Sequence, residues 1–183
     1  MISRSDVEIR RQDIISPVAQ QLIGALNAEL EDRYPEDGAN FFNLDANEVA
    51  EGRGGFFVAY ISHEPVGCGA VRRTEPHVGE IKRMYVAPSA RGRGVGRQIL
   101  SALETEARRL GVCRLVLETG PRQPDAIALY SRAGFLRIPL FGQYLDTPHP
   151  ELSVCMAKDL SFGMQRAPCE LDCPERARYD SPG

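Results

Sequence analysis

What the 183-residue sequence lacks narrows it first. No run of about 18 apolar residues occurs, so no segment reads as a membrane-spanning helix and no membrane partner is expected. The opening stretch 1–11 has no signal-peptide core, which makes the cytoplasm the expected compartment. There is no basic surplus: 22 Lys and Arg stand against 25 Asp and Glu, a net charge of −3, which argues against a nucleic-acid binder. Histidines number only three, and none of the five cysteines falls in a recognisable Cys/His arrangement, so nucleophilic thiol catalysis has no signal. Cys169 and Cys173 are spaced C-x3-C without a second ligand pair nearby, and no metal is expected. Cys68, Cys113 and Cys155 lie in apolar, strand-like runs and read as buried thiols. No internal repeat is present.

What is there suits one globular domain over 1–160, with 43% apolar and 26% charged residues overall. Hydrophobic periodicity predicts a strand over 7–11, then a helix capped by Ser16 with Pro17 at its first position. Val18, Leu22, Ala25, Leu26 and Leu30 form that helix's apolar face. A polar stretch over 32–55 reads as loop with a short helix. Strands over 56–62, 66–73 and 79–87 follow as an antiparallel meander, the first turn at His63-Glu64-Pro65 and the last strand stopped by Pro88. Val95, Ile99, Leu103, Ala107 and Leu110 recur at helical spacing, with the helix drawn over 98–110 and Gly111 as its stop. A strand over 112–118, a short helix over 124–132 closed by Gly134, and strands over 135–138 and 152–157 complete the pattern. The tail 161–183, rich in Pro, Arg, Asp and Glu, reads as poorly ordered or as a partner-contact segment.

Between the strand ending near Val86 and the long helix runs Arg91-Gly92-Arg93-Gly94-Val95-Gly96-Arg97. Glycines let the backbone turn tightly, and a helix N-terminus offers unpaired N–H groups and partial positive charge. With three arginines alongside, the segment suits a phosphate. The dinucleotide fingerprint would need glycine where Arg97 stands, and the Walker motif would need Gly-Lys-Ser/Thr where Arg97-Gln98-Ile99 occurs.

Three segments taken in order carry a family resemblance. They are Lys82-Arg83-Met84-Tyr85-Val86-Ala87-Pro88 followed by Arg91 to Gly96, then Leu115-Val116-Leu117-Glu118-Thr119-Gly120, then Ala126 to Phe135 with Tyr130 and Gly134-Phe135. The first is similar to an R/Q-x-x-G-x-G/A pyrophosphate motif after a V-x-P strand end, the last to A-x-x-x-Y-x-x-x-G-F. Together they resemble the GNAT superfamily of acetyl-CoA-dependent N-acetyltransferases, from about residue 56 to 160. The resemblance implies an α/β (α+β) fold, a mixed and mostly antiparallel sheet of about seven strands whose fourth and fifth strands splay apart. It implies acetyl-CoA as co-substrate, with Met84, Tyr85 and Val86 pairing with the pantetheine arm as an added strand would. Arg91, Gly92, Arg93, Gly94, Val95, Gly96 and Arg97 would hold the pyrophosphate. The other reading of the three arginines is a solvated basic surface, Arg93 in particular. A homodimer is a family expectation.

Amide formation from a thioester requires a neutral amine and a proton for the departing thiolate. In the resembling motif Tyr130 donates that proton; its other reading is a core aromatic. Glu80 is the candidate base, acting through water, or else a surface partner of Lys82 or Arg83. On a regular strand Glu80, Lys82, Met84 and Val86 would share a face, and a bulge would change that phase. Arg72, Arg73 and Tyr144 are candidates for contact with a carboxylate on the acceptor, or ordinary loop residues. The resulting expectation is an N-acetyltransferase acting on a primary amine of a small molecule or amino acid. A protein lysine or N-terminal acetyltransferase and a non-catalytic acyl-CoA sensor are the alternatives.

Overall fold

Seven strands and three helices occupy the described residues, 7–36 and 44–160, of the computed structural model. β1 (Val7–Gln12) leads into α1 (Pro17–Arg33), and β2 (Gly54–Ile61), β3 (Glu64–Arg73) and β4 (Val78–Val86) follow. After them come α2 (Val95–Arg109), β5 (Arg114–Thr119), α3 (Pro124–Arg132), β6 (Leu136–Arg137) and β7 (Val154–Asp159). The strands form one sheet in the order β1-β2-β3-β4-β5-β7-β6, antiparallel except where β4 meets β5. This is the mixed, mostly antiparallel α/β sheet expected from the sequence. The segment 161–183, with Cys169, Cys173 and the tail expected to be poorly ordered or to contact a partner, lies outside the described residues.

Local chemistry explains the helix boundaries. Ser16 caps α1 by accepting a hydrogen bond from the Ala19 amide at 3.3 Å, and Pro17 stands at the first turn. The buried stripe is Ala19, Leu22 and Leu26; Ala25, expected on it, is exposed. One residue back from Leu26 is about 100° around the helix, which carries Ala25 past the edge of so narrow a stripe. In α2, Val95, Ile99, Leu103 and Ala107 are all buried, and Gly111 ends the helix at φ +75°. The helix begins at Val95 rather than 98, so the second half of the glycine run is its first turn. Between β2 and β3 the turn is two residues, Ser62 and His63, both at positive φ, with Ile61 paired to Glu64. That tighter closure starts β3 two residues earlier than the sequence suggests.

β4 is not regular. Cys68 pairs with Tyr85 and Ala70 with Lys82, so Arg83 is an extra residue, held at φ +56°. The bulge reverses the alternation. Glu80, Lys82 and Tyr85 therefore face the α1 side with Arg72, Ala70 and Cys68, while Ile81 and Met84 face the α2 side. Of the two readings the sequence left open for this strand, the bulged one holds, and Met84 and Val86 leave the Glu80 face. Two asparagine and thiol contacts hold the bulge: Arg83 Nη1 donates to Asn27 Oδ1 at 3.0 Å, and Cys68 Sγ–H to the Arg83 carbonyl at 3.4 Å. Two cores result, one under α2 and α3 and one under α1.

Candidate active site

β4 and β5 are paired only over Val78 to Ile81 and Arg114 to Leu117, and beyond that they part. From Lys82 onward, one backbone edge of β4 has no strand beside it among the described residues. A cleft of about 870 Å³ opens there, walled by β4, the first turn of α2, α3 and the end of α1.

The glycine turn forms one end. Gly92 and Gly94 hold φ of +73° and +80°, values that an L side chain resists. Gly94 is the N-cap of α2 and no side chain caps the helix, so the amides of its first turn have no helical partner. A Cβ on Gly96 would come within 3.2 Å of Leu129, which shows how closely α2 and α3 pack here. Gly92, Gly94, Val95, Gly96, Arg91 and Arg97 all line the cleft. Arg91 also braces the turn: its Nε donates to the Val86 carbonyl at 2.9 Å and its Nη2 to Glu29 on α1 at 2.6 Å. Arg93 is exposed and does not line the cleft. Met84, Tyr85 and Val86 line its β4 wall.

The closed end carries the charged groups. Glu80 is 2% exposed and lies behind the wall, not on it. Its Oε2 accepts from Arg72 Nε at 2.8 Å and Nη2 at 2.6 Å, and its Oε1 accepts from the Tyr144 hydroxyl at 2.8 Å. Arg72 Nη1 also donates to Glu48. Glu80 does pair with Lys82, Nζ to Oε1 at 3.6 Å, but behind the wall rather than at the surface, where it anchors a buried ion cluster. Arg72 is likewise away from the wall, its guanidinium committed to two carboxylates. Tyr144 does reach the wall, with its hydroxyl also accepting from Lys82 Nζ at 3.3 Å. Burial lowers the Lys82 pKa, against the pull of Glu80.

Tyr130 on α3 lines the cleft with its ring tilted against Phe135, centroids 5.8 Å apart. Burial, then the nearby charge of Glu118, pushes its hydroxyl far above the usual range, so it stays a proton donor. Glu118 itself lines the cleft, and sequence reasoning passed over it. Burial pushes its carboxyl up to about 7, opposed by a hydrogen bond from Ser153 Oγ at 2.8 Å and by Lys82. Strand alternation carries the signal in retrospect: Val116 and Glu118 share a face, and Val116 pairs with Glu80. Among the described residues no group of three or more His, Cys, Asp or Glu is placed to hold a metal ion. No described helix is long and apolar enough to cross a membrane.

The profile of the acetyltransferase (GNAT) family matches residues 20–135. The chain belongs to the GNAT family. An IAA acetyltransferase of Azospirillum brasilense is 41% identical over 156 residues, covering 85% of this chain and 99% of that one. Among solved structures, one described as an acyl-CoA N-acyltransferase from Klebsiella pneumoniae is 34% identical with a TM-score of 0.70, covering 85% and 98% of the two chains. A GNAT family acetyltransferase from Elizabethkingia anophelis with acetyl-CoA bound shares the fold at 20% identity, with a TM-score of 0.60 over 85% and 99%. This GNAT protein is an acyltransferase with acetyl-CoA as co-substrate. The glycine turn, at φ values that favour glycine and with uncapped helix amides at the wall, suits the pyrophosphate of that co-substrate.

Proposed function

We propose that this enzyme transfers an acetyl group from acetyl-CoA to a primary amine of a small molecule, by direct attack with both substrates bound. The observation that carries it is the continuity of one cleft. It runs from the glycine turn, along the open edge of β4, to a closed end where Tyr130 and the Glu118–Lys82–Tyr144 group face each other. In this reading Gly92, Gly94, Val95 and Gly96 receive the pyrophosphate, assisted by Arg91 and Arg97. The edge of Met84, Tyr85 and Val86 receives the pantetheine arm. The thioester supplies an electrophilic carbonyl and a thiolate leaving group. Tyr130 gives that thiolate its proton, and a carboxylate at the closed end, directly or through water, takes one from the amine.

Direct attack is supported by the thiols. Among the described residues no cysteine lines the cleft, and burial pushes Cys68 and Cys155 up to about 12, leaving neither as a thiolate at neutral pH. The test is thiol release from acetyl-CoA across a panel of small amines, amino acids, lysine peptides and IAA. Turnover with small amines supports the reading. Turnover with peptides or IAA alone, or donor binding with no turnover at all, overturns it.

A further inference from the structure

We propose that Lys82 is a self-acetylation site: without an acceptor, its ε-amine takes the acetyl group from the bound thioester, and the mark closes the acceptor end of the cleft. This rests on the acyl-transfer reading above. The sequence supplies the first argument. Lys82 and Lys158 are the only lysines among the chain's 22 Lys and Arg. A guanidinium stays protonated and does not compete for an acyl group, so arginine is a cation that a thioester leaves alone. The only two ε-amines both line the cleft.

Position separates the two. Lys82 faces the α1 side with Ala70 and stands just where β4 parts from β5. It acts on the charge of Glu118, and Glu118 acts on that of Tyr130, so the amine and the thiolate's proton donor neighbour one carboxylate. A thioester whose sulfur reaches Tyr130 has its carbonyl carbon one bond further on. Lys158 faces the α2 side from β7, and its Nζ is held by Glu104 Oε1 at 2.6 Å.

The partners of the Lys82 amine are the third argument. Its Nζ donates to the Tyr144 hydroxyl at 3.3 Å and lies 3.6 Å from Glu80 Oε1. Arg72 and Tyr144 fill the Glu80 oxygens at 2.6 to 2.8 Å, so Lys82 has the weakest claim on that carboxylate. Burial outweighs the pull of Glu80 and lowers the Lys82 pKa, which enlarges the neutral fraction able to attack.

The step balances. Lys82 gives one proton to water, and its lone pair forms the N–C bond at the thioester carbonyl. As the C–S bond breaks, its electron pair leaves on sulfur, which takes the Tyr130 hydroxyl proton. The second proton on nitrogen restores Tyr130 through water. The net products are ε-N-acetyl-Lys82, the CoA thiol and one released proton. The amide has lost the positive charge beside Glu80, and its acetyl group fills the space an acceptor amine would enter.

The test incubates the full chain with acetyl-CoA and no acceptor, with CoA alone and the chain in urea as controls, and reads both lysines by digestion and mass spectrometry. Lys82 should gain an acetyl group at least about tenfold faster than Lys158, with urea bringing the two rates together. Tyr130→Phe should slow the mark at Lys82 by roughly tenfold. After the same incubation, the turnover lost on a small amine should match the fraction of Lys82 marked, and Lys82→Arg should keep its own starting rate. An unmarked Lys82, equal marking of both lysines in the folded chain, a mark that Tyr130→Phe does not slow, or turnover undiminished by a fully marked Lys82 overturns the proposal. Failure of the acyl-transfer reading looks different: no external amine is turned over, while the mark on Lys82 is still counted directly.

Discussion

Tyr130 and Glu118 show how differently two neighbouring residues announce themselves. Tyr130 lies in a run, Ala126 to Phe135, whose spacing is readable along α3 and the turn after it, and it lines the cleft. Replacing it with Phe should lower turnover by more than about tenfold while changing acetyl-CoA affinity little. Equal turnover in the two proteins, measured by thiol release, would remove its acid role. Glu118 was not legible because an acid after Leu115-Val116-Leu117 looks like the polar end of a strand. Its importance comes from β4 turning away beside it, which is a property of two strands and not of one. Glu80 was legible only as a candidate base or a surface partner of Lys82 or Arg83, and nothing local reveals Arg72 and Tyr144 as its partners. They converge from eight and sixty-four positions away along the chain.

At the scale of elements, periodicity was a good guide and backbone irregularity a poor one. The apolar face of α2 and the meander follow from spacings of roughly 3.6 and 2 residues, which the sequence displays directly. The start of α2 inside the glycine run was hidden because glycine is the weakest helix former short of proline. Gly94→Glu should abolish acetyl-CoA binding: it forces a side chain onto φ +80° and places negative charge at the helix N-terminus. Calorimetry measures the affinity, and circular dichroism should show the helices retained. Normal affinity would dismiss this turn as the pyrophosphate site. Gly54 on β2 is a different case, since its Cβ would meet the Val71 and Glu48 carbonyl oxygens at 2.3 and 2.5 Å. Both are backbone atoms, which cannot step aside as a side chain would. Gly54→Ala should therefore destabilise the protein by about 1–3 kcal/mol in denaturant unfolding. A neutral result would mean that the short turn carrying Glu48 yields easily.

For the molecule as a whole, the closed end of the cleft carries a stability cost that pH should expose. The Glu118 carboxyl moves from 4.5 to about 7 on folding, so between those values the folded state holds a proton that the unfolded chain has lost. Stability from this group is therefore highest below about 4.5, falls as pH rises and reaches its floor above about 7. Glu118→Gln should melt higher than the unsubstituted protein at pH 8, with the gap closing near pH 4.5; an equal gap at both would refute the linkage. The described thiols report on global opening in the same way. Cys68, Cys113 and Cys155 are buried, and alkylation mapped by mass spectrometry should reach them only through unfolding.

The bulge at Arg83 has one more consequence, best put as arithmetic. Along β4 the odd or even number of a residue decides its side of the sheet, and Arg83 is where that parity changes sign. Deleting Arg83 would leave a regular strand in which Met84 and Tyr85 keep their sides. Keeping the residue while ironing out the bulge is what would exchange them, sending Tyr85 toward α2 and Met84 toward α1. The stretches of β4 before and after position 83 thus keep separate counts along one strand.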